Sequence, residues 1–253
     1  AWPIFFYQFI RGCLLLTIHG KFDALISDNG GFPGAKSCTA IIFSSTFLKI
    51  PKRVLLIHHA AMPRIPLFKL LDSIKIIGLQ RFATDLVVVS LATRTTLIER
   101  RYFNTMINPI RVIPNGINLN NCLVPVDINL RERYNIIKDE LVLGIIGRVE
   151  RYKGQEDLII AMSRLPKEIK VKFKVFIVGS GNKKEILRLK SLVIKYDLQD
   201  RVIFTGFIEN KVEAIINCFD LLLMLTKDFE AFNYTIAEAM IAGVPTIITD
   251  VGA

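Results

Sequence analysis

The sequence lacks any uncharged apolar run of the roughly 18 residues that a membrane-spanning helix requires. Its most apolar stretch, "AWPIFFYQFIRGCLLLTIHG", is interrupted by Arg11 and closed by Lys21. No transmembrane helix is therefore predicted.

Cysteine is scarce and has no pairing pattern. The four cysteines are scattered among apolar neighbours without CxxC spacing: Cys13, Cys38, Cys122 and Cys218. This use of cysteine predicts buried free thiols in a reducing compartment rather than a disulfide framework.

Two nucleotide-binding motifs are missing or incomplete. No G-x-x-x-x-G-K-[ST] segment is present, which excludes a P-loop NTPase. The stretch "VGSGNKK" resembles a dinucleotide loop, but Lys184 replaces its third glycine, and Asp200 precedes the next strand instead of ending it. NAD binding is therefore not favoured.

The charge balance predicts an anionic partner. The formal net charge is +10, which suits a nucleic acid, a phosphorylated small molecule or a lipid headgroup. Nucleic-acid recognition would concentrate basic residues on one helix or interleave them with aromatics, whereas here Lys and Arg are spread along the chain. We therefore expect no nucleic-acid partner.

The hydrophobic pattern predicts an α/β fold. From about Leu141 onward, short β-branched runs such as "LVLGIIG", "KFKVFIVG" and "VPTIITD" alternate with amphipathic segments of helical length. Such alternation builds a parallel, doubly wound sheet. The earlier zone, with "FDALISD", "KRVLLIHH" and "TDLVVVS", has the same character, and an Asn-rich connection near residues 115–120 separates the two zones.

Functional side chains are expected beyond the carboxyl ends of these strands, because ligands bind there in open parallel sheets. Arg148 and Lys153 follow the strand that begins at Leu141 and precede a helix. Glycines that allow close backbone approach end three of the strands: Gly147, Gly179 and Gly206.

The segment "EAFNYTIAEAM" predicts an anion site at a helix start. Asn233 is a good N-cap, and the first-turn N–H groups from Tyr234 and Thr235 to Ile236 would point out of the helix with its positive dipole. Glu230 would face the cleft ahead of this site, and Glu238 could accept hydrogen bonds from hydroxyls. A phosphate flanked by two hydroxyl-rich groups, as in a sugar nucleotide, fits this layout.

Four motifs resemble those of a known family. "EAFNYTIAEAMIAGVPTIITDVGA" is similar to the E-x7-E signature of the retaining GT-B glycosyltransferases of family 4 (glycosyl transferases group 1). "VIPNGIN", "GRVERYKGQEDLI" and "VGSG" match further family motifs in the expected order.

The resemblance implies two Rossmann-like domains. Residues 1–117 would form an incomplete, acceptor-side N-terminal domain, and residues 118–253 a truncated C-terminal domain that binds the nucleotide sugar. The chain starts without Met and stops after "VPTIITDVGA", so we expect an incomplete chain.

The resemblance also implies a reaction, namely transfer of a hexose from a nucleoside-diphosphate sugar to an acceptor hydroxyl in polysaccharide or glycolipid assembly. The anomeric configuration would be retained, and neither a cofactor nor a metal would be required. No DxD pair is present to hold a metal as in the other large glycosyltransferase fold. The alternative is a non-catalytic sugar-nucleotide-binding or scaffold protein derived from the same fold.

The family's roles carry over to matching positions. Arg148 and Lys153 would neutralise the diphosphate, Glu230 would hold the donor sugar, Glu238 would bind the ribose, and His58 would be the active-site histidine. The remaining donor-binding candidates are Gly147, Gly179, Gly206, Asn233, Tyr234 and Thr235. Where the family commonly has glycine, this chain has Asn233, which also caps helices.

A basic, apolar segment predicts contact with a membrane surface. "RIPLFKLLDSIKIIGLQRF", residues 64–82, carries Arg64, Lys69, Lys75 and Arg81 among apolar residues, and such a helix can lie among anionic headgroups. The alternative is a core helix with a polar stripe facing water. Because the resembled family often uses lipid-linked acceptors, the first interpretation places the protein peripherally at the cytoplasmic face of a membrane.

Overall fold

A computed structural model describes residues 2–63, 69–100, 102–103, 109–119, 130–209 and 212–252. Residue contacts divide the chain into two compact units. The first comprises Ala1–Asn115 with Phe229–Phe232 and Gly252–Ala253, and the second comprises Gly116–Asp228 with Asn233–Val251.

The first unit is built on a parallel sheet with the strand order β1-β2-β3-β4. Its strands are β1 (Ala24–Asn29), β2 (Lys52–Ile57), β3 (Asp85–Val88) and β4 (Ile110–Val112). Its helices are α1 (Trp2–Ile18), α2 (Lys36–Phe47), α3 (Lys69–Phe82) and α4 (Leu91–Glu99). Ser90 caps α4 by accepting a hydrogen bond from the Thr93 amide at 3.2 Å.

The core of the first unit lies between the sheet and its helices. Ile57 and Val88, at the ends of β2 and β3, are fully buried and belong to one cluster with Ile42 of α2 and Leu79 of α3. Strands buried in this way appear as continuous apolar runs instead of alternating ones.

The second unit contains a parallel sheet with the order β7-β6-β5-β8-β9. Its strands are β5 (Leu141–Ile146), β6 (Phe173–Val178), β7 (Val202–Gly206), β8 (Leu221–Met224) and β9 (Thr246–Ile248). Its helices are α5 (Leu130–Arg133), α6 (Gln155–Arg164), α7 (Lys167–Lys170), α8 (Lys183–Lys195), α9 (Val212–Ile216) and α10 (Tyr234–Ile241).

The second sheet is covered on both faces. Val175 and Ile177 of β6 pack in one apolar cluster with Ile159 of α6, whereas Phe176 of the same strand packs in another with Ala239 of α10. Alternate residues of a strand point to opposite faces, so one continuous apolar run fills two cores. The α/β fold with parallel sheets is as the sequence predicts.

A charged network joins the starts of α6 and α8. Arg188 donates to both carboxylate oxygens of Glu156, at 2.9 and 2.8 Å, and to both of Glu185, at 2.9 and 2.7 Å. The hydrogen bonds from Arg188 lower the pKa of both carboxyl groups below 4.5. The network ties together two helices that follow neighbouring strands.

Arg188→Ala is expected to lower the free energy of unfolding by about 1–3 kcal/mol near neutral pH, since it removes charge-assisted hydrogen bonds. The pKa values are lowered by folding, so this contribution is present above 4.5 and is lost as pH falls through the folded values. Urea unfolding of both proteins at neutral pH and below 4.5 measures it. Arg188→Lys, which keeps only the charge, should fall in between, and a pH-independent difference would contradict the assignment.

Some expectations need correction or lie outside the described part. Cys13, Cys38 and Cys218 are half-buried, not buried as predicted, and Cys122 lies outside the described residues. Parts of two other predicted segments also lie outside the described residues. In the segment 64–82 these are residues 64–68 and the side chains of Lys69 and Lys75. In the predicted connection it is Asn120.

Strand β4 was not predicted, since Arg111 divides its short sequence.

Candidate active site

The loop after β5 is held against the end of β6. The Gly147 amide donates to the Val178 carbonyl oxygen at 3.0 Å, and the Val149 amide donates to that of Ser180 at 2.9 Å. Gln155, which is only 2% exposed, donates from Nε2 to the Arg148 carbonyl oxygen at 3.0 Å. The backbone at Arg148 is therefore fixed from two sides.

The Arg148 side chain is exposed but has two partners. Its Nη1 donates to Glu150 Oε1 at 2.9 Å, and its Nη2 donates to the Tyr152 hydroxyl at 2.9 Å. Within the described residues these bonds use two of the five guanidinium N–H groups. The remaining donors suit an anion such as phosphate, which arginine binds readily.

Lys153 ends a 3-10 turn at Arg151–Lys153. Its amide donates to the Glu150 carbonyl oxygen at 2.9 Å, and its Nζ lies 5.3 Å from the centre of the Tyr152 ring. Gly154 follows with φ 82°, and a Cβ atom there would overlap the Leu225 carbonyl oxygen. Glycine therefore allows the turn to approach the end of β8 closely.

Two of the predicted glycines meet at the strand ends. The Gly179 amide donates to the Gly206 carbonyl oxygen at 2.9 Å. Gly179 has φ 137°, and a Cβ atom there would overlap the Gly147 carbonyl oxygen. Any larger residue would separate the loops after β5 and β6, so glycine is required by packing as well as by backbone conformation.

Helix α10 begins where the sequence predicts it. Asn233 is the N-cap, and its Oδ1 accepts a hydrogen bond from the Ile236 amide at 3.1 Å. This corrects the expectation that the Ile236 N–H points out toward an anion, because the cap already takes it. The amides of Tyr234 and Thr235 remain the candidates at this helix start.

The loop that leads from β8 toward α10 contacts the loop after β5. The Lys227 amide donates to the Tyr152 carbonyl oxygen at 2.7 Å, and Lys227 Nζ lies 2.7 Å from Asp157 Oδ2. Because β5 and β8 are neighbours in the sheet, these contacts bring two predicted phosphate-binding loops to one edge.

The two glutamates of the E-x7-E motif occupy different settings. Glu238 is half-buried in α10 and belongs to the second unit, together with Arg148, Lys153, Gly147, Gly179, Gly206, Asn233, Tyr234 and Thr235. Glu230 lies between β8 and α10, forms a parallel bridge with Gly252 and is counted with the first unit.

His58 follows β2 in the first unit. Its amide donates to the Asn29 carbonyl oxygen at 3.0 Å, and its Nε2 lies 3.0 Å from Asp28 Oδ1. Because β1 and β2 are parallel and adjacent, their carboxyl ends place Asp28 and His58 side by side. The histidine therefore has a carboxylate partner that orients its ring.

Three residues that hold the site were not predicted, namely Gln155, Tyr152 and Asp28. Asp28 could have been found, since a polar residue at the end of an apolar strand is a visible signal. Gln155 and Tyr152 lie within the motif "GRVERYKGQEDLI", but nothing in the sequence gives them a role, because their partners are set by how the loop folds back.

No helix among the described residues is long and apolar enough to cross a bilayer. In the same part of the chain, no group of three or more His, Cys, Asp or Glu residues could hold a metal ion.

A family model, "Glycosyl transferases group 1", matches residues 126–253, which is half of the chain and includes nearly all of the site. The chain belongs to this family.

Relatives of the group 1 chain agree with that assignment. An uncharacterized glycosyltransferase of Methanocaldococcus jannaschii is 30% identical over 155 residues, which cover 59% of this chain and 38% of that protein. The O-antigen biosynthesis glycosyltransferase WclY of Escherichia coli is 31% identical over 140 residues, or 55% of this chain and 37% of that protein. The chain thus spans less than half the length of these curated relatives.

Solved structures show the same fold. The Anabaena protein Alr3699/HepE, solved in complex with UDP, superposes with a TM-score of 0.76 at 21% identity, over 96% of this chain and 63% of that one. A glycosyltransferase from Rickettsia africae gives a TM-score of 0.76 at 19% identity, over 100% of this chain and 64% of that one. This group 1 chain therefore has the α/β fold of GT-B glycosyltransferases.

Proposed function

We propose that this protein is a retaining glycosyltransferase of family 4 that moves a sugar from a nucleoside diphosphate to an acceptor hydroxyl. The observation that carries the proposal lies in the second unit. There the loop that bears Arg148 and Lys153 lies beside the loop that leads to the α10 N-terminus, at the carboxyl edge of one parallel sheet. The hydrogen bond from the Lys227 amide to the Tyr152 carbonyl oxygen joins the two loops. Two cations and a helix start together suit a diphosphate.

Each residue has a distinct task in this proposal. Arg148 and Lys153 stabilise the negative charge that grows on the diphosphate as the glycosidic bond breaks. The Tyr234 and Thr235 amides bind a phosphate oxygen, Glu238 binds ribose hydroxyls, and Glu230 binds the donor sugar. Gly147, Gly179 and Gly206 let the donor approach the strand ends. His58, oriented by Asp28, acts at the reacting sugar.

The donor and acceptor classes come from the family and its relatives. The Anabaena protein Alr3699/HepE has been solved with UDP-glucose, and WclY is named for O-antigen biosynthesis. We propose a hexosyl nucleotide as donor and a saccharide or lipid-linked saccharide as acceptor, in polysaccharide or glycolipid assembly. No cofactor or metal takes part in the proposed reaction.

Calorimetric titration with UDP, ADP and GDP tests the donor site, and release of nucleoside diphosphate from sugar nucleotides tests turnover. Binding of one nucleotide together with turnover that is unchanged by EDTA is the expected result. NMR of the product should show the donor's anomeric configuration. Nucleotide binding without turnover across donors and acceptors would instead favour a non-catalytic binding or scaffold protein.

Peripheral membrane association through α3 is part of the proposal. Ile76 and Leu79 face the core, whereas Ile74 and Ile77 are 52% and 61% exposed on the other side of the helix. Arg81 lies in its last turn. Exposed apolar side chains on a helix whose sequence also carries cations suit the headgroup layer of an anionic membrane at the cytoplasmic face.

Vesicle co-sedimentation is expected to show binding to anionic vesicles at low salt that weakens at high salt. Changing Lys69 and Lys75 together to Glu, or Ile74 and Ile77 together to Asn, should reduce it. Ile194→Asn, at a similarly exposed isoleucine of α8 (64%), is the matched control. Lack of binding even at low salt would leave α3 as a core helix only.

A further inference from the structure

Tyr152 contacts both of the cations that are proposed to hold the diphosphate. Its hydroxyl accepts a hydrogen bond from Arg148 Nη2 at 2.9 Å, and its ring lies 5.3 Å from Lys153 Nζ. Tyr152 lies within the motif "GRVERYKGQEDLI", but the resemblance gave roles only to Arg148 and Lys153 of that segment and none to this tyrosine.

The backbone at Tyr152 is held by hydrogen bonds. The Tyr152 carbonyl oxygen accepts a hydrogen bond from the Lys227 amide at 2.7 Å. The 3-10 turn that contains Tyr152 is closed by the hydrogen bond from the Lys153 amide to the Glu150 carbonyl oxygen. A tyrosine has few rotatable bonds, so a fixed backbone leaves its hydroxyl in a defined place.

Arg148 needs such a support. Its side chain is 71% exposed, and a long exposed arginine samples many rotamers that must be given up when it binds a ligand. The Tyr152 hydroxyl and Glu150 hold the guanidinium from two sides. The Tyr152 hydroxyl is neutral, whereas the Glu150 carboxylate brings a negative charge next to the guanidinium. Tyr152 therefore pre-orders the arginine without competing with phosphate for its charge.

We infer that Tyr152 is a positioning residue that presents Arg148, and through its ring Lys153, to the diphosphate of the donor. The inference rests on the proposed function, since it assigns to Tyr152 the ordering of that same phosphate site. Tyr152 itself is not required to touch the substrate.

Tyr152→Phe removes the hydroxyl and keeps the ring beside Lys153. It is expected to weaken binding of the preferred nucleoside diphosphate about 3- to 10-fold, the scale of a typical net hydrogen bond, because solvent weakens the bond at the exposed Arg148. Tyr152→Leu, which also removes the ring, should weaken binding further. The readout is calorimetric affinity for UDP, ADP or GDP in the 253-residue chain, with thermal unfolding as a check on folding.

The decisive measurement is a double-mutant cycle with Arg148→Ala. If Tyr152 acts through Arg148, Tyr152→Phe should change affinity by less than about 2-fold once Arg148 is absent. A purely structural tyrosine would give the same loss in both backgrounds. Tyr196→Phe is the matched control, because Tyr196 follows α8 and has the same 5.3 Å contact with its neighbour Lys195.

The outcomes separate the two ideas. Two results would overturn the role of Tyr152 and leave the proposed function intact. In the first, Arg148→Ala weakens nucleotide binding but Tyr152→Phe does not. In the second, both weaken it and their losses of binding free energy add in the double variant. Unchanged binding by Arg148→Ala, or no nucleotide binding by the unaltered chain, would contradict the phosphate site itself and the inference with it.

Discussion

Replacing Arg148 or Lys153 with alanine is expected to lower turnover about 100- to 1,000-fold, because each would stabilise charge that develops on the leaving diphosphate. The structure supports this expectation by placing both in one loop whose backbone is fixed by Gln155, Ser180 and the turn after Glu150. The measurement is release of nucleoside diphosphate from the donor under saturating conditions, with nucleotide affinity determined on the same preparations.

Arg151 provides the control for this prediction. It lies between the two cations, is 79% exposed, and its Nε is 3.6 Å from Glu185 Oε2. Arg151→Ala removes one positive charge from the same loop without touching either proposed phosphate ligand, so turnover should stay within about 3-fold of the unaltered protein, the scale of one exposed ion pair. Wild-type turnover and affinity in both Arg148→Ala and Lys153→Ala would show that the phosphate assignment is wrong.

Glu238→Gln is expected to weaken binding of free nucleoside diphosphate about 10-fold or more, since charge-assisted hydrogen bonds to the ribose would be lost. Glu230→Gln should leave that affinity nearly unchanged and instead impair binding and use of the intact sugar nucleotide. The difference follows from their places, because Glu238 lies within α10 behind the helix start, whereas Glu230 precedes it in the loop after β8.

Titration of both variants with the free nucleotide and with the sugar nucleotide separates the two roles. Glu168→Gln is the control, since this exposed glutamate lies in α7, which leads into the opposite end of the sheet from the site. Equal weakening of free nucleotide binding by Glu230→Gln and Glu238→Gln would contradict the proposed division of labour.

Predictions from the sequence succeeded where the signal is local. The strand ends at Gly147 and Gly206 could be located because apolar runs stop there. The N-cap role of Asn233 was visible for the same reason, since a cap and its partner amide are three residues apart. The same local view failed at Ile236, whose amide was expected to face an anion although the predicted cap would occupy it.

The sequence alone determined the α/β class, the glycines at the strand ends and the start of α10, because each leaves a pattern among neighbours in the chain. The roles proposed for Arg148 and Lys153 at the diphosphate come from the resemblance of their motif to the family and stay predictions. Tertiary structure alone decided the strand order β7-β6-β5-β8-β9, the pairing of His58 with Asp28 and the bond from Gln155 to the backbone of Arg148. It also decided the position of Tyr152 between two cations. The physical reason is that the first two require segments distant in the chain to pair in a sheet, whereas the last two require the loop after β5 to fold back on itself, and no spacing in the chain encodes either.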